Sequence, residues 1–126
     1  MSVPVHEPEA PVGFLRALRL AELEDGLPLG VVLDGGERVC LVRRGDAVWA
    51  VHDSCPHRGF ALGGGDVVGE EAGAPIIECP WHGARFSCAS GAVLHGPCTD
   101  AIATYPVHVL DGVVFVGARR TPEEAA

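Results

Sequence analysis

The apolar positions of this chain fall in short runs, which alternate with polar residues or are rich in β-branched side chains, and glycines and acidic residues separate them. This spacing is typical of short strands joined by tight turns. No helical period is sustained over ten residues, so only a short turn or helical piece is expected, at residues 21–26. The expected strands are residues 12–18, 29–33, 39–43, 47–52, 76–78, 85–87, 103–110 and 113–116.

Glycine-rich turns indicate how these strands follow one another. Residues 34–37 (Asp-Gly-Gly-Glu) and the pair at 111–112 (Asp-Gly) each separate two expected strands, and both can adopt the positive φ angles of tight hairpins. Residues 63–65 are three consecutive glycines, which predict that the chain reverses there without regular structure. The pattern therefore predicts a small, mainly β protein built from antiparallel strands.

Composition and charge narrow the classes of function. With 126 residues, of which 48% are hydrophobic, the chain can form one globular core and is expected to be a single domain. The formal charge of -8 argues against nucleic-acid binding. No apolar run reaches membrane-spanning length and no signal peptide is evident, so we expect a cytoplasmic protein without membrane association. We also expect a monomer. Residues 1–11 and 119–126 are expected to be flexible tails.

Two short loops concentrate the side chains that can bind a metal. Residues 55–57 read Cys-Pro-His, and residues 79–82 read Cys-Pro-Trp-His. A structural zinc site usually takes its cysteines from one knuckle and its histidines from another. Here each loop supplies one of each, so two facing loops could give one iron both thiolates and a second iron both imidazoles. The candidate ligands are Cys55, His57, Cys79 and His82.

These motifs resemble those of the Rieske ferredoxin family. The likeness includes a proline after each cysteine and a glycine after each histidine, and it extends over about residues 38–116. It implies one Rieske 2Fe-2S cluster held by the four candidate ligands. It also implies a small antiparallel β sandwich or barrel-like fold with a cluster-binding subdomain inserted at about residues 53–98. The interval of 21 residues between the motifs is a handful longer than usual, and we assign the excess to a surface loop at 69–74.

The resemblance implies an electron carrier rather than an enzyme. Similar proteins pass single electrons from a flavin-dependent ferredoxin reductase to a terminal oxygenase that hydroxylates aromatic rings. The sequence shows neither a second iron site of two histidines and a carboxylate nor a glycine-rich nucleotide motif. Two alternatives stay open, namely the small subunit of a nitrite reductase-type complex and a structural zinc module. The remaining histidines lack a partner cysteine and are expected on the surface or in strands: His6, His52, His95 and His108.

Three cysteines lie outside the motifs, Cys40, Cys88 and Cys98, and all are expected to be free thiols, with Cys40 in the core. High-potential members of the family carry a serine two positions, and a tyrosine four positions, after the second histidine. Here those positions are Ala84 and Phe86. Because both hydroxyl donors to the cluster sulfurs are missing, we expect a reduction potential of about -150 mV, at the low end for Rieske centres.

Two modes of docking to partner proteins are compatible with the sequence. The excess of acidic over basic residues favours electrostatic steering towards partners with basic surfaces. The alternative is apolar docking around Phe60, Leu62 and Trp81, of which Phe60 and Leu62 are also expected to shield the metal site.

Overall fold

A computed structural model describes residues 6–56, 59, 61–81, 83–97 and 100–122. Within these residues the chain forms eleven strands and one short 3-10 helix, which spans Leu20–Glu22. The strands are β1 (Leu15–Arg19), β2 (Leu29–Val32), β3 (Arg38–Arg44), β4 (Ala47–His52), β5 (Asp66–Glu71), β6 (Ala74–Glu78), β7 (Arg85–Ser87), β8 (Val93–His95), β9 (Thr104–Tyr105), β10 (Val107–Leu110) and β11 (Val113–Val116).

The strands form three sheets, and all neighbouring strands are antiparallel. The outer sheet has the order β1-β11-β10, the central sheet β2-β3-β4-β9, and the cysteine-loop sheet β5-β6-β7-β8. This architecture confirms the expected mainly β, antiparallel fold class. The hairpins predicted at 34–37 and 111–112 are present, because they join β2 to β3 and β10 to β11.

The central sheet has an apolar core on each face. Along β3, Val39 and Leu41 pack into one core while Cys40 and Val42 pack into the other, and all four are fully buried. The first core includes Leu18, Val114 and Val116 of the outer sheet. The second core includes Ile77 and Phe86 of the cysteine-loop sheet together with Cys55 and Cys79. Burial on both faces explains why residues 39–42 of β3 are all apolar rather than alternating with polar residues.

The prediction of a single strand at 103–110 is wrong, because the chain forms two strands there that belong to different sheets. Pro106 separates them and has no amide hydrogen to continue a ladder. Before it, β9 pairs with Ala50 and Val51 of β4, whereas β10 pairs with β11 after it. This proline therefore transfers the chain from the central sheet to the outer sheet.

The segment expected to be a surface loop at 69–74 does lie on the surface, since residues 69–73 are exposed, but the expectation of a loop is wrong, because most of the segment belongs to a hairpin. β5 and β6 pair from Asp66 opposite Glu78 to Glu71 opposite Ala74, with a register shift between Val67 and Gly69. The extra residues therefore lengthen a hairpin at the edge of the cysteine-loop sheet. The third and fourth strands of that sheet are β7, which was expected, and β8, which was not.

Residues 1–5 and 123–126 of the expected tails lie outside the described residues. In the described part, Glu7 bonds to Arg16 and Arg19, and Arg120 forms a β-bridge with Thr104. The flexibility of both tails and the limits of the inserted subdomain stay predictions. In the described part of the chain, no helix is long and apolar enough to cross a membrane.

Candidate metal centre

The first cysteine loop begins where β4 ends at His52. Cys55 is 1% exposed, and its carbonyl oxygen accepts a hydrogen bond of 2.7 Å from the amide of Gly59. Gly59 has φ +74°, a conformation that costs glycine little. This four-residue closure turns the chain sharply just after Cys55.

The second cysteine loop connects β6 to β7 and closes in the same way. Cys79 is 1% exposed, and its carbonyl oxygen accepts a 3.2 Å hydrogen bond from the amide of Gly83, which also has φ +74°. The amide of Cys79 donates to the carbonyl of Ala84 at 2.8 Å. At the base of the loop Glu78 lies opposite Arg85 in the sheet, and the Arg85 Nε donates to Glu78 Oε2 at 2.8 Å.

The structure brings Cys55 and Cys79 into one buried apolar cluster, although 23 residues separate them in sequence. Leu62, Ala84 and Phe86 belong to the same cluster and are fully buried. The expectation that Leu62 lines the site agrees with this packing. In the alternative of apolar docking around Phe60, Leu62 and Trp81, the side chain of Leu62 cannot take part directly, because it does not reach solvent.

The two candidate histidine ligands, His57 and His82, and Phe60 lie outside the described residues. Trp81, which precedes His82, is 63% exposed. The other histidines are placed elsewhere: His52 is in β4, His95 in β8 and His108 in β10, and His6 is exposed near the start of the described chain. His108 packs against the ring of Phe14, with ring centroids 4.7 Å apart.

Asp53, which the sequence analysis did not single out, is a buried acidic residue between β4 and Cys55. Its Oδ1 accepts hydrogen bonds from the amides of Leu62 at 2.8 Å and Gly63 at 2.7 Å. The available signals were its place two residues before Cys55 and the three glycines that follow Leu62. Neither signal alone indicates that the two segments meet.

Two cysteines outside the motifs are buried thiols that form no disulfide, Cys40 and Cys88. Burial raises the pKa of Cys88 to about 12. Burial also raises the pKa of Cys40, and the nearby Asp53 carboxylate adds to that rise. Both therefore stay protonated and unreactive near neutral pH, as expected for core residues. Cys98 lies outside the described residues.

Comparison with known proteins decides the family. The model of the Rieske [2Fe-2S] domain matches residues 14–106, which is most of the chain. The chain belongs to the Rieske family. It therefore binds one Rieske-type 2Fe-2S cluster.

Among curated Rieske proteins, the chain is similar to the ferredoxin component of the naphthalene 1,2-dioxygenase system of Pseudomonas putida. The two are 33% identical over 98 residues, which cover 78% of this chain and 88% of the relative. It is also similar to Ferredoxin CarAc of Metapseudomonas resinovorans, with 28% identity over 85% of this chain and 95% of the relative.

Solved Rieske structures show the same fold. The ferredoxin of carbazole 1,9a-dioxygenase from Nocardioides aromaticivorans IC177 superposes with a TM-score of 0.73 at 33% identity, covering 82% of this chain and 96% of that one. A chain of the complex of reduced oxygenase and oxidized ferredoxin in carbazole 1,9a-dioxygenase gives 0.72 at 28% identity, covering 83% and 93%. A putative NADH-dependent nitrite reductase small subunit from Mycobacterium tuberculosis gives 0.72 at 29% identity, covering 86% and 95%.

The described residues fit a Rieske cluster. Two cysteines from separate loops lie in one apolar core. In both loops the carbonyl of the cysteine accepts a hydrogen bond from the amide of a glycine four residues later, Gly59 or Gly83, so the two loops make the same type of turn. Soft thiolates surrounded by Leu62, Ala84 and Phe86 suit an iron–sulfur group that must be kept from water.

Proposed function

We propose that this chain is a one-electron carrier whose 2Fe-2S cluster is held by Cys55, His57, Cys79 and His82. The observation that carries the assignment is the burial of Cys55 and Cys79 in one apolar core, at the start of two loops that each contain a histidine. The same two loops carry His57 and His82, which would supply both imidazoles to the second iron of the cluster while the thiolates bind the first.

The role of the protein is to hold the ligands and to control access to them. When bound, the cluster takes up and releases single electrons without forming a bond to a substrate. Leu62, Ala84 and Phe86 exclude water from the thiolates, because all three are fully buried beside the cysteines. The exposed Trp81 marks the side of the second loop from which a partner can approach.

The partners we propose are a flavin-dependent ferredoxin reductase as donor and a terminal oxygenase as acceptor. Curated relatives are ferredoxin components of dioxygenase systems, and one structural neighbour comes from a complex of an oxygenase with its ferredoxin. We place this exchange in the cytoplasm. The unpaired thiols of Cys40 and Cys88 support a reducing compartment.

The test of the cluster uses protein purified anaerobically from iron-replete cells. We expect red-brown protein with about two irons and two sulfides per chain, and a reduced-state electron paramagnetic resonance signal of lowered average g. Stoichiometric zinc in place of iron would identify the zinc module instead, because zinc is colourless and redox-inactive.

The ligand assignment is tested by replacing histidines one at a time. His57→Ala and His82→Ala should abolish the normal spectrum, since each removes an imidazole from iron. His95→Ala and His108→Ala are the controls and should keep it. His108 lies in the outer sheet, and His95, although it lies opposite Arg85 near the second loop, has no partner cysteine at the spacing of either motif. Equal loss from all four variants would contradict the ligand choice.

The likeness to a nitrite reductase small subunit favours a second candidate, an electron-transfer subunit of such a complex. Reconstitution separates the two. A dioxygenase ferredoxin should support substrate hydroxylation by a terminal oxygenase in proportion to its concentration. Support of NADH-dependent nitrite reduction, together with a stable complex with the large subunit on gel filtration, would favour the second candidate.

A further inference from the structure

Residues 62–65, which we call the glycine strap, lie between the central sheet and the second cysteine loop. On one side, a Cβ added to Gly63 would come within 2.6 Å of the amide nitrogen of Gly30 in β2. On the other side, a Cβ added to Gly65 would overlap the carbonyl oxygen of Glu78 and come within 3.3 Å of Pro80. The strap therefore fills the space between β2 and the residues flanking Cys79, and only glycine fits these two positions.

Asp53 fastens this strap to the central sheet. Its Oδ1 receives the amide hydrogens of Leu62 and Gly63, at 2.8 Å and 2.7 Å. Its other carboxylate oxygen lies against Gly30, where an added Cβ would overlap it. The amide of Gly64 donates to the carbonyl of Pro28 at 3.2 Å, just before β2. Of the hydrogen bonds described between the strap and its support, the two to the buried carboxylate are the shortest.

The strap also places one side chain of the metal core. Leu62 is fully buried beside Cys55 and Cys79, and its own amide donates one of the two hydrogen bonds that Asp53 accepts. Asp53 is two residues before Cys55, so the same carboxylate connects the first cysteine loop to the segment that packs against the second.

We infer that Asp53 is a positioning residue, which sets the position of the second cysteine loop relative to the first. It does so by fastening the glycine strap, against which the second loop packs, to the segment that leads into Cys55. The inference rests on the proposed function, since the loops must be held apart at a fixed distance only if they share a cluster. Without the carboxylate, two amides at the edge of the core lose their acceptor, which carries a substantial free-energy cost. The strap then loosens, and both Leu62 and the Glu78–Pro80 backbone lose a fixed neighbour.

The main test compares Asp53→Ala with Asp53→Asn in the holoprotein. We expect Asp53→Ala to release iron to a chelator at least roughly tenfold faster than wild type, because it leaves two amide donors unpaired. Its remaining reduced-state resonance signal should broaden as ligand geometry becomes less uniform. Asp53→Asn should lie closer to wild type, because the amide oxygen still accepts both hydrogens, although without the added strength of a charged acceptor.

A second test leaves Asp53 in place and displaces it. Gly30→Ala puts a methyl group where the Asp53 carboxylate lies, so it should reproduce the fast iron release of Asp53→Ala from a position in β2. Gly117→Ala is the matched control. Its Cβ would be equally crowded, 2.6 Å from Pro106 and 2.9 Å from Phe14, but on the outer sheet. Hydrogen exchange of the β10–β11 hairpin reports whether either variant has lost the fold as a whole.

The outcomes separate this inference from the proposed function. Wild-type protein without an iron–sulfur spectrum would contradict the function itself. In that case, hydrogen-exchange protection of the Leu62 and Gly63 amides, compared between wild type and Asp53→Ala, would still test whether Asp53 holds the glycine strap. A normal wild-type spectrum with wild-type iron release from Asp53→Ala would overturn the inference alone. So would Gly117→Ala releasing iron as fast as Gly30→Ala, or a loss of exchange protection in Asp53→Ala that extends equally to the β10–β11 hairpin.

Discussion

The side chains of Ala84 and Phe86 influence the reduction potential of the cluster through the hydrogen bonds that they do not offer. Both are fully buried in the apolar core that contains Cys55 and Cys79, and neither carries a hydroxyl. The carbonyl of Ala84 accepts a hydrogen bond from the amide of Cys79. The core therefore offers no hydroxyl at either position to stabilise the additional negative charge of the reduced cluster.

The residue-scale prediction is that Ala84→Ser or Phe86→Tyr raises the reduction potential, because each supplies a donor beside the cluster sulfurs. Voltammetry of wild type should give a reduction potential of about -150 mV, the low end for Rieske centres. Ala50→Ser is the control, since Ala50 is a buried alanine in the other core. A wild-type potential above about +100 mV would contradict the explanation, because that value lies well within the range of high-potential centres.

At the scale of elements, charged residues connect segments that the hydrophobic pattern leaves separate. The N-terminal segment is held to β1 by Glu7, whose Oε1 accepts from Arg16 Nε at 2.5 Å and whose Oε2 accepts from Arg19 Nε at 3.2 Å. Hydrogen bonds from Arg16 and then Arg19 lower the pKa of Glu7 to about 2. The folded-state pKa lies below that of the unfolded chain, so this contribution is present above about pH 4 and is lost as pH falls towards 2.

The element-scale prediction is that Glu7→Gln lowers the thermal midpoint slightly at pH 7 and less at pH 3. The effect is small because the ion pairs are exposed and solvent screens them. It should also shrink in high salt. Glu24→Gln, which removes another exposed carboxylate, is the control. A midpoint difference from wild type that is equal at both pH values would show that packing, rather than charge, attaches the segment.

At the scale of the whole molecule, the protein carries a formal net charge of -8. Long-range attraction to a basic partner raises the rate of encounter without requiring tight binding, which suits a carrier that must dissociate after each transfer. The surface also offers the 63% exposed Trp81, which can act by apolar contact instead.

The molecule-scale prediction is that second-order electron transfer to the reductase or oxygenase slows as salt rises, since screening shortens to about 8 Å at physiological ionic strength. The cluster potential should change much less. Trp81→Ala separates the two modes of docking. If charge steers the encounter, the variant keeps the salt dependence of wild type. A wild-type rate that is indifferent to salt and a large loss in Trp81→Ala would show that apolar contact dominates.

The sequence by itself determined the family, the antiparallel β class, the hairpins at 34–37 and 111–112 and the two cysteine motifs, because glycine turns and ligand spacing are local properties of the chain. Only the tertiary structure decided that Pro106 divides one apolar run between two sheets, that residues 69–74 belong mostly to a hairpin, and that Leu62 is buried. It alone also brought Asp53 to the glycine strap. In each case the result depends on hydrogen bonding and burial against segments that are distant in sequence. The local pattern of residues does not contain that information.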